Sequence, residues 1–444
     1  MKKIHGKGRL LLYAAGGMGV NMLNLMMGSY LCSALLVGGF KGDAVTFQTF
    51  AGRDIVIAAA WAVFTLIARI VDGVIDIPMA AFTDRLRTRW GRRRPSLVIG
   101  LVPMIAAYVL FLMTPNPGAA TWLNTIYYGV VLIVFYSFYT LTMVTYYATY
   151  TEIVETEEER RFMSNVKSVC DIIYFILGYV VVRMLLNGIN VKYVALIVLP
   201  MVLTMLIPLF MIKETRDDIG ATGSGETVGL FRSIAYTFRN RTFVLWMIAY
   251  AFMTFGVQLF LGGINEYFSF VGMNMIFVMV AAFVPVPLTL LIYNKLMRRY
   301  GFGVAFRYTL ITFAVGTTAM FAIGLMNGGA LKTALSVAAG FVCSFAVGSL
   351  FAVAYSVPSQ LAAEEEEKTG VSNSAMYFAV QGLFSGVATG VATGIVLVAL
   401  KKSSDKGSNA MAYMTAIAAV AMLVSLALTF TLPRHLLKMG RKDK

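Results

Sequence analysis

Histidine is almost missing from this chain. His5 and His435 are the only two in 444 residues, and both lie outside the apolar runs. A histidine-based catalytic or zinc centre inside those runs is therefore excluded. Cysteine is nearly as scarce. Cys32, Cys170 and Cys343 fall in separate apolar stretches without metal-type spacing, so they read as small buried residues and imply no disulfide framework. No glycine-rich phosphate loop ending in lysine follows a strand, which removes support for an ATP-driven pump. Charge is sparse at 13% and acids are sparser than bases, 22 against 37, for a formal net charge of +15.

Apolar sequence is what the chain has in abundance. Hydrophobic residues make up 59% and the mean hydropathy is +0.75, with runs that repeatedly reach the ~20 residues needed to cross a bilayer. Twelve spans are expected, at roughly 10–37, 54–82, 96–113, 121–150, 165–186, 191–212, 242–270, 272–295, 303–326, 331–361, 372–400 and 409–432. The first is longer than a signal-peptide core and has no obvious cleavage site, so it reads as a mature helix. Basic residues collect on one side of this arrangement: the N-terminal lysines, the loop from Arg85 to Arg94, Lys213, Arg232, Arg239, Arg241, Lys295, Arg298, Arg299 and the tail. The positive-inside rule puts that side, and both termini, in the cytoplasm of a plasma-membrane protein. Lys401, Lys402 and Lys406 form a contrary group near the end of span eleven.

The Gly/Ser/Thr-rich stretch GATGSGETVG sits in the longest polar segment and suits a linker. It divides the chain into a six-helix bundle over 1–212, a central cytoplasmic loop over 213–241, a second bundle over 242–432 and a cytoplasmic tail over 433–444. The two halves align without a gap: DRLRTRWG from Asp84 to Gly91 falls on NKLMRRYG from Asn294 to Gly301. The same offset brings the acidic TEIVETEEE after span four onto LAAEEEEKT after span ten. Two parallel six-helix repeats joined by a cytoplasmic loop predict an all-α membrane protein of the major facilitator fold, with a substrate site near mid-membrane.

Span two carries the unusual chemistry. Arg69, Asp72 and Asp76 are spaced i, i+3 and i+7 and so share one helical stripe. Each such charge costs about 2.5 to 3.5 kcal/mol at the centre of a bilayer unless compensated. Their sum, one net negative charge, can attract one monovalent cation or keep one carboxyl protonated. The repeat offset places Ala282 and Val286 opposite Asp72 and Asp76, so the fold does not require these acids. Asp84, Arg85, Arg92 and Arg93 follow at the cytoplasmic edge, where they fix topology, can meet anionic head groups and are candidates for gating.

The DxxxD of span two, the DRLRTRWGRRRP that follows it, and KTGVSNSAMYFAVQG from Lys368 to Gly382 resemble the glycoside-pentoside-hexuronide:cation symporter family. The likeness covers the whole chain in layout. It implies secondary active transport of a sugar, glycoside or related small organic solute by alternating access, coupled to a proton or sodium. It also implies a cation site at Asp72 and Asp76, with Thr140 of span four as a further ligand. The family's amide ligand is replaced here by Ile75, which tilts the coupling ion toward a proton, because sodium needs several hard oxygen ligands. At the family's sugar site a span-one Asp falls on Asn21, a span-four Asp on Met143 and a span-eleven Lys on Gln381, while the stacking aromatic survives as Tyr147. Lys167 falls close to a sugar-binding Arg.

The candidates for a substrate site are thus Asn21, Asn24, Tyr146, Tyr147, Tyr150, Lys167, Glu266, Tyr377 and Gln381, with Gln258 nearby in span seven. Lys167 and Asp171 can pair along one face of span five. Glu266 can bind a cationic or hydroxyl-rich solute, or sit in water at the external mouth. Gly382, Gly386, Gly390 and Gly394 form a stripe in span eleven that allows close packing or bending. Two other readings remain: the same fold carrying an amphiphile such as a lysolipid, or a non-transporting sensor. Neither an enzyme nor a nucleic-acid binder is expected. The expected partners are a small-molecule substrate, a co-transported H+ or Na+ and the bilayer, around a monomer with no other cofactor.

Overall fold

The structure is a computed structural model that describes residues 3–4, 6–86, 88–154, 157–214, 240–369 and 374–439. Among them no β-strand occurs beyond the isolated Thr88–Gly91 bridge; the rest of the regular structure is helical. Among the described residues ten helices are long and apolar enough to cross a membrane. An eleventh span is formed by Met275–Phe283 and Val286–Tyr300 together, bent by 41°. The fifth expected span is helical too, as Glu157–Ile176 with its continuation through Leu185, and carries Lys167, Asp171 and Arg183.

Helix starts follow local chemistry. Thr121 accepts the Asn124 amide at the start of Trp122–Ile153, and Asn190, Asn240 and Asn274 do the same for spans six, seven and eight. The kink in span eight lies at Val284 and Pro285, where proline removes a backbone donor. Spans five and eleven, equivalent in the two halves, each contain a π-helical turn, at Leu177–Val181 and Val391–Val396. The second of these follows Gly390 in the glycine stripe.

The chain falls into two compact units. One takes Met1–Leu36 and Thr46–Thr227; the other takes Val37–Val45 and Val228–Lys444. In the first, span four packs against spans two and three and acts as the central post. Gly100 and Gly129 permit this: a Cβ on Gly100 would strike Thr142, and one on Gly129 would strike Phe64. In the second unit spans seven, nine, ten and twelve pack together, around Trp246 with its neighbours Tyr250, Phe302 and Phe306. The segment Val37–Val45 belongs to this second unit because Lys41 donates its amide to Ser269 Oγ and its ammonium to the Phe270 carbonyl.

Candidate functional site

Span two is the continuous helix Ala58–Arg85, so Arg69, Asp72 and Asp76 do share a stripe. Asp72 is held on both oxygens. Thr140 donates its hydroxyl to Oδ1 at 2.9 Å, and the Arg69 guanidinium lies 3.8 Å from Oδ2. Arg69 also lies over the Tyr136 ring at 4.3 Å. The close approach of span one makes this possible, since a Cβ on Gly28 would come within 2.9 Å of Arg69 Nη2. The Tyr136 hydroxyl is buried and has no hydrogen-bond partner among the described residues. Asp76, half-buried one turn further on, has neither a hydrogen bond nor an ion pair among them.

One carboxylate is thus neutralised within the chain and the other is left to find a cation. Ile75 lies between them and offers no oxygen from its side chain. No group of three or more His, Cys, Asp or Glu side chains gathers among the described residues. Pro78 lacks the N–H that would bond to the Val74 carbonyl, but Val74, two residues from each acid, is exposed on the opposite face of the helix.

A second group lies on spans one, four and five of the same unit. Tyr139 donates to Asn21 Oδ1 at 3.1 Å, while Asn24 Oδ1 is buried without a partner among the described residues. Lys167 pairs with Asp171 at 2.7 Å, and its ammonium lies 5.2 Å from the Tyr147 ring centroid. Tyr147 and Tyr150 are half-buried. A cation, a carboxylate and an aromatic face are therefore adjacent and partly open. Tyr146 differs: it is 1% exposed, stacks on Tyr13 and donates to the Tyr13 and Ala14 carbonyls, which makes it a tie between spans one and four.

The second unit's candidates are placed differently. Glu266 is wholly buried and bound to Lys401 at 2.7 Å, so it does not sit in water. Lys401 likewise is no loop charge. It lies in the helix Leu397–Asp405, 2% exposed, which removes it from the contrary group of lysines. Tyr377 is buried, accepts from Asn240 at 3.0 Å and meets Phe243 edge-on. Gln381 accepts the Trp246 indole N–H at 3.2 Å, and Gln258 is half-buried.

At the end of span two the side chains of Asp84 and Arg85 lie outside the described residues. Arg92 and Arg93 are buried, and their backbone amides donate to Glu214 Oε2 at 3.0 and 2.8 Å. Glu214 thereby caps the helix Arg93–Phe111 at its positive end. Sequence reasoning passed over Tyr136, Gly28 and Glu214, and read Lys401 only as a loop charge. The i, i+4 spacing of Tyr136 and Thr140 was a usable signal; the other contacts link distant segments and left none.

The chain is similar to known transport proteins. The family described as MFS/sugar transport protein matches residues 12–433. A lactose permease of Lactobacillus helveticus is 29% identical over 177 residues, 38% of this chain and 26% of the permease. An uncharacterized symporter of Synechocystis sp. is 28% identical over 104 residues, 22% of this chain and 19% of the symporter. The matched stretches thus span about a quarter or less of these curated relatives. Among solved structures, the nucleoside transporter NupG superposes with a TM-score of 0.61 at 15% identity, over 96% of this chain and 98% of that one. A bacterial homologue of ferroportin gives 0.60 at 14% identity, over 96% and 98%. These structural likenesses establish the fold, and the family match covers nearly the whole chain: it belongs to the MFS/sugar transport protein family, the glycoside-pentoside-hexuronide-like group of major facilitator transporters.

Proposed function

We propose that this protein is a secondary active symporter that moves a sugar, glycoside or related small hydroxyl-rich solute by alternating access, coupled to a proton at Asp76. The carrying observation is the inequality of the two span-two carboxylates: Asp72 is satisfied by Arg69 and Thr140, while Asp76 has no partner among the described residues. A carboxyl inside a membrane span without a cation partner is suited to carry one proton through the cycle, which is the role assigned to Asp76. Asn21, Tyr139, Tyr147, Lys167 and Asp171 provide donors, acceptors and an aromatic face for the solute. The lactose permease relative supports the sugar part of this reading.

The division into bundles at 1–212 and 242–432, with the loop 213–241 and the tail 433–444, belongs to the same reading. So do a plasma-membrane location, cytoplasmic termini and a monomeric state. Asp84, Arg85, Arg92 and Arg93 would act at the cytoplasmic gate. The deciding experiment is uptake of a solute panel into proteoliposomes with pH and sodium gradients imposed independently. Accumulation driven by an inward proton gradient in sodium-free buffer is expected; accumulation driven by sodium alone would overturn the proton assignment.

A further inference from the structure

A groove on the first unit lies where the apolar surface of spans three and six meets the basic loop. It has a volume of about 410 Å3 and is lined by Trp90, Arg94, Pro95, Val98, Ile99 and Phe210, with Leu209 behind them. Trp90 is 63% exposed and Phe210 70%, and Val98 and Ile99 are exposed as well. Apolar side chains so open in a membrane protein face acyl chains, and the surface continues along both helices through Val102 and Leu203.

The groove is built rather than incidental. Arg94 donates Nε to the Leu209 carbonyl and Nη2 to the Phe210 carbonyl, both at 3.1 Å, which fixes the two walls together and holds a guanidinium in the groove. Trp90 stands on a locked turn, in which Thr88 Oγ1 donates to the Gly91 carbonyl at 2.7 Å and accepts the Trp90 amide at 3.2 Å. Arg89 lies against the Trp90 ring, 5.2 Å from its centroid, and exposed Lys213 follows the end of span six. The acid beside them, Glu214, is turned inward onto the amides of Arg92 and Arg93 and onto the Arg92 side chain, so it does not neutralise the rim.

We propose that this groove is a binding site for an anionic phospholipid. One acyl chain would lie along Val98, Ile99 and Phe210, the glycerol region beside the Trp90 indole, and the headgroup phosphate among Arg94, Arg89 and Lys213. The combination argues for a lipid and not a free anion, because the positive rim is continuous with an open apolar trough. It argues for an anionic headgroup because Arg94 lines the groove, Arg89 lies against its Trp90 wall, exposed Lys213 follows three residues after Phe210, and the neighbouring carboxylate is already committed. Basic pockets between helices at this face recognise anionic headgroups on the same grounds.

Tryptophan fluorescence of the full chain in phosphatidylcholine bilayers tests this directly. Of the four tryptophans, Trp61 and Trp246 are buried and Trp122 is exposed at the start of span four, so a Trp122→Phe background leaves Trp90 as the surface reporter. Dibrominated phosphatidylglycerol should quench this signal at mole fractions lower than dibrominated phosphatidylcholine requires, by about fivefold for each basic side chain engaged. Brominated phosphatidylethanolamine should behave as phosphatidylcholine does. The double variant Arg89→Gln, Lys213→Gln, whose changes lie on the exposed rim, should lose most of the preference at an unchanged unfolding temperature; Arg94→Gln should lose it too. Equal quenching by all three lipids, or a preference that survives in the rim variant, would overturn the proposal.

Discussion

Gly91 and Gly301, equivalent positions in the two halves, adopt nearly the same left-handed backbone, with φ of 90° and 92°. Each ends the basic loop motif after span two or span eight, and each is pressed by the chain that leaves the last span of its own half. A Cβ on Gly91 would strike the Glu214 carboxylate; one on Gly301 would come within 2.7 Å of the Leu437 carbonyl. The hydrogen bonds next to them match as well: the Arg92 amide donates to Glu214, and the Phe302 amide donates to the Met439 carbonyl at 2.9 Å. The repeat seen in the loop sequences is thus also a repeat of tertiary closure.

Alanine at either glycine meets both an unfavourable φ and a steric clash. Gly91→Ala and Gly301→Ala should each destabilise the protein by about 1–3 kcal/mol. Thermal unfolding in detergent would register the loss. An unchanged midpoint for both variants would show that the closure is not needed.

Asp72 and Asp76 should separate functionally. Asp76→Asn mimics the permanently protonated form, so solute counterflow should persist while proton-driven accumulation disappears. Asp72→Asn leaves Arg69 without its carboxylate partner, although the amide oxygen still accepts from Thr140, so lowered stability is expected as well as lost accumulation. The checks are vesicle counterflow, accumulation under an imposed pH gradient and a melting curve for each variant.

The buried Glu266–Lys401 pair offers a double-mutant test. Changing either residue alone, Glu266→Gln or Lys401→Met, strands a buried charge and should cost about 3–5 kcal/mol. Combining the two removes both charges and should recover a large part of that loss. The interaction energy from the four unfolding curves decides it: simple additivity would mean that the two side chains act independently.

Tyr147 and Tyr146 should also diverge. Tyr147→Ala removes a half-exposed aromatic face beside Lys167 and should weaken solute affinity about tenfold or more with little change in stability. Tyr146→Phe removes a buried donor to two span-one carbonyls and should destabilise by about 1–3 kcal/mol with affinity kept. Binding and melting measured side by side separate the two roles.

By itself the sequence determined the membrane-spanning helical architecture, the two-half repeat and the charged stripe of span two. These follow from hydrophobic run length, from a constant offset between loop motifs and from helical spacing, all of which are local or periodic properties. Tertiary structure alone decided which charges were already satisfied. Arg69 meets Tyr136 and Gly28 on spans four and one, Glu214 reaches back to Arg92 and Arg93, and Lys401 reaches Glu266 across the second unit. In a bilayer the energy of a charge depends on the partner it touches, and contact between distant segments is fixed by packing, so Asp76 could be told from Asp72, and Glu266 from a solvent-facing acid, only once the helices were assembled.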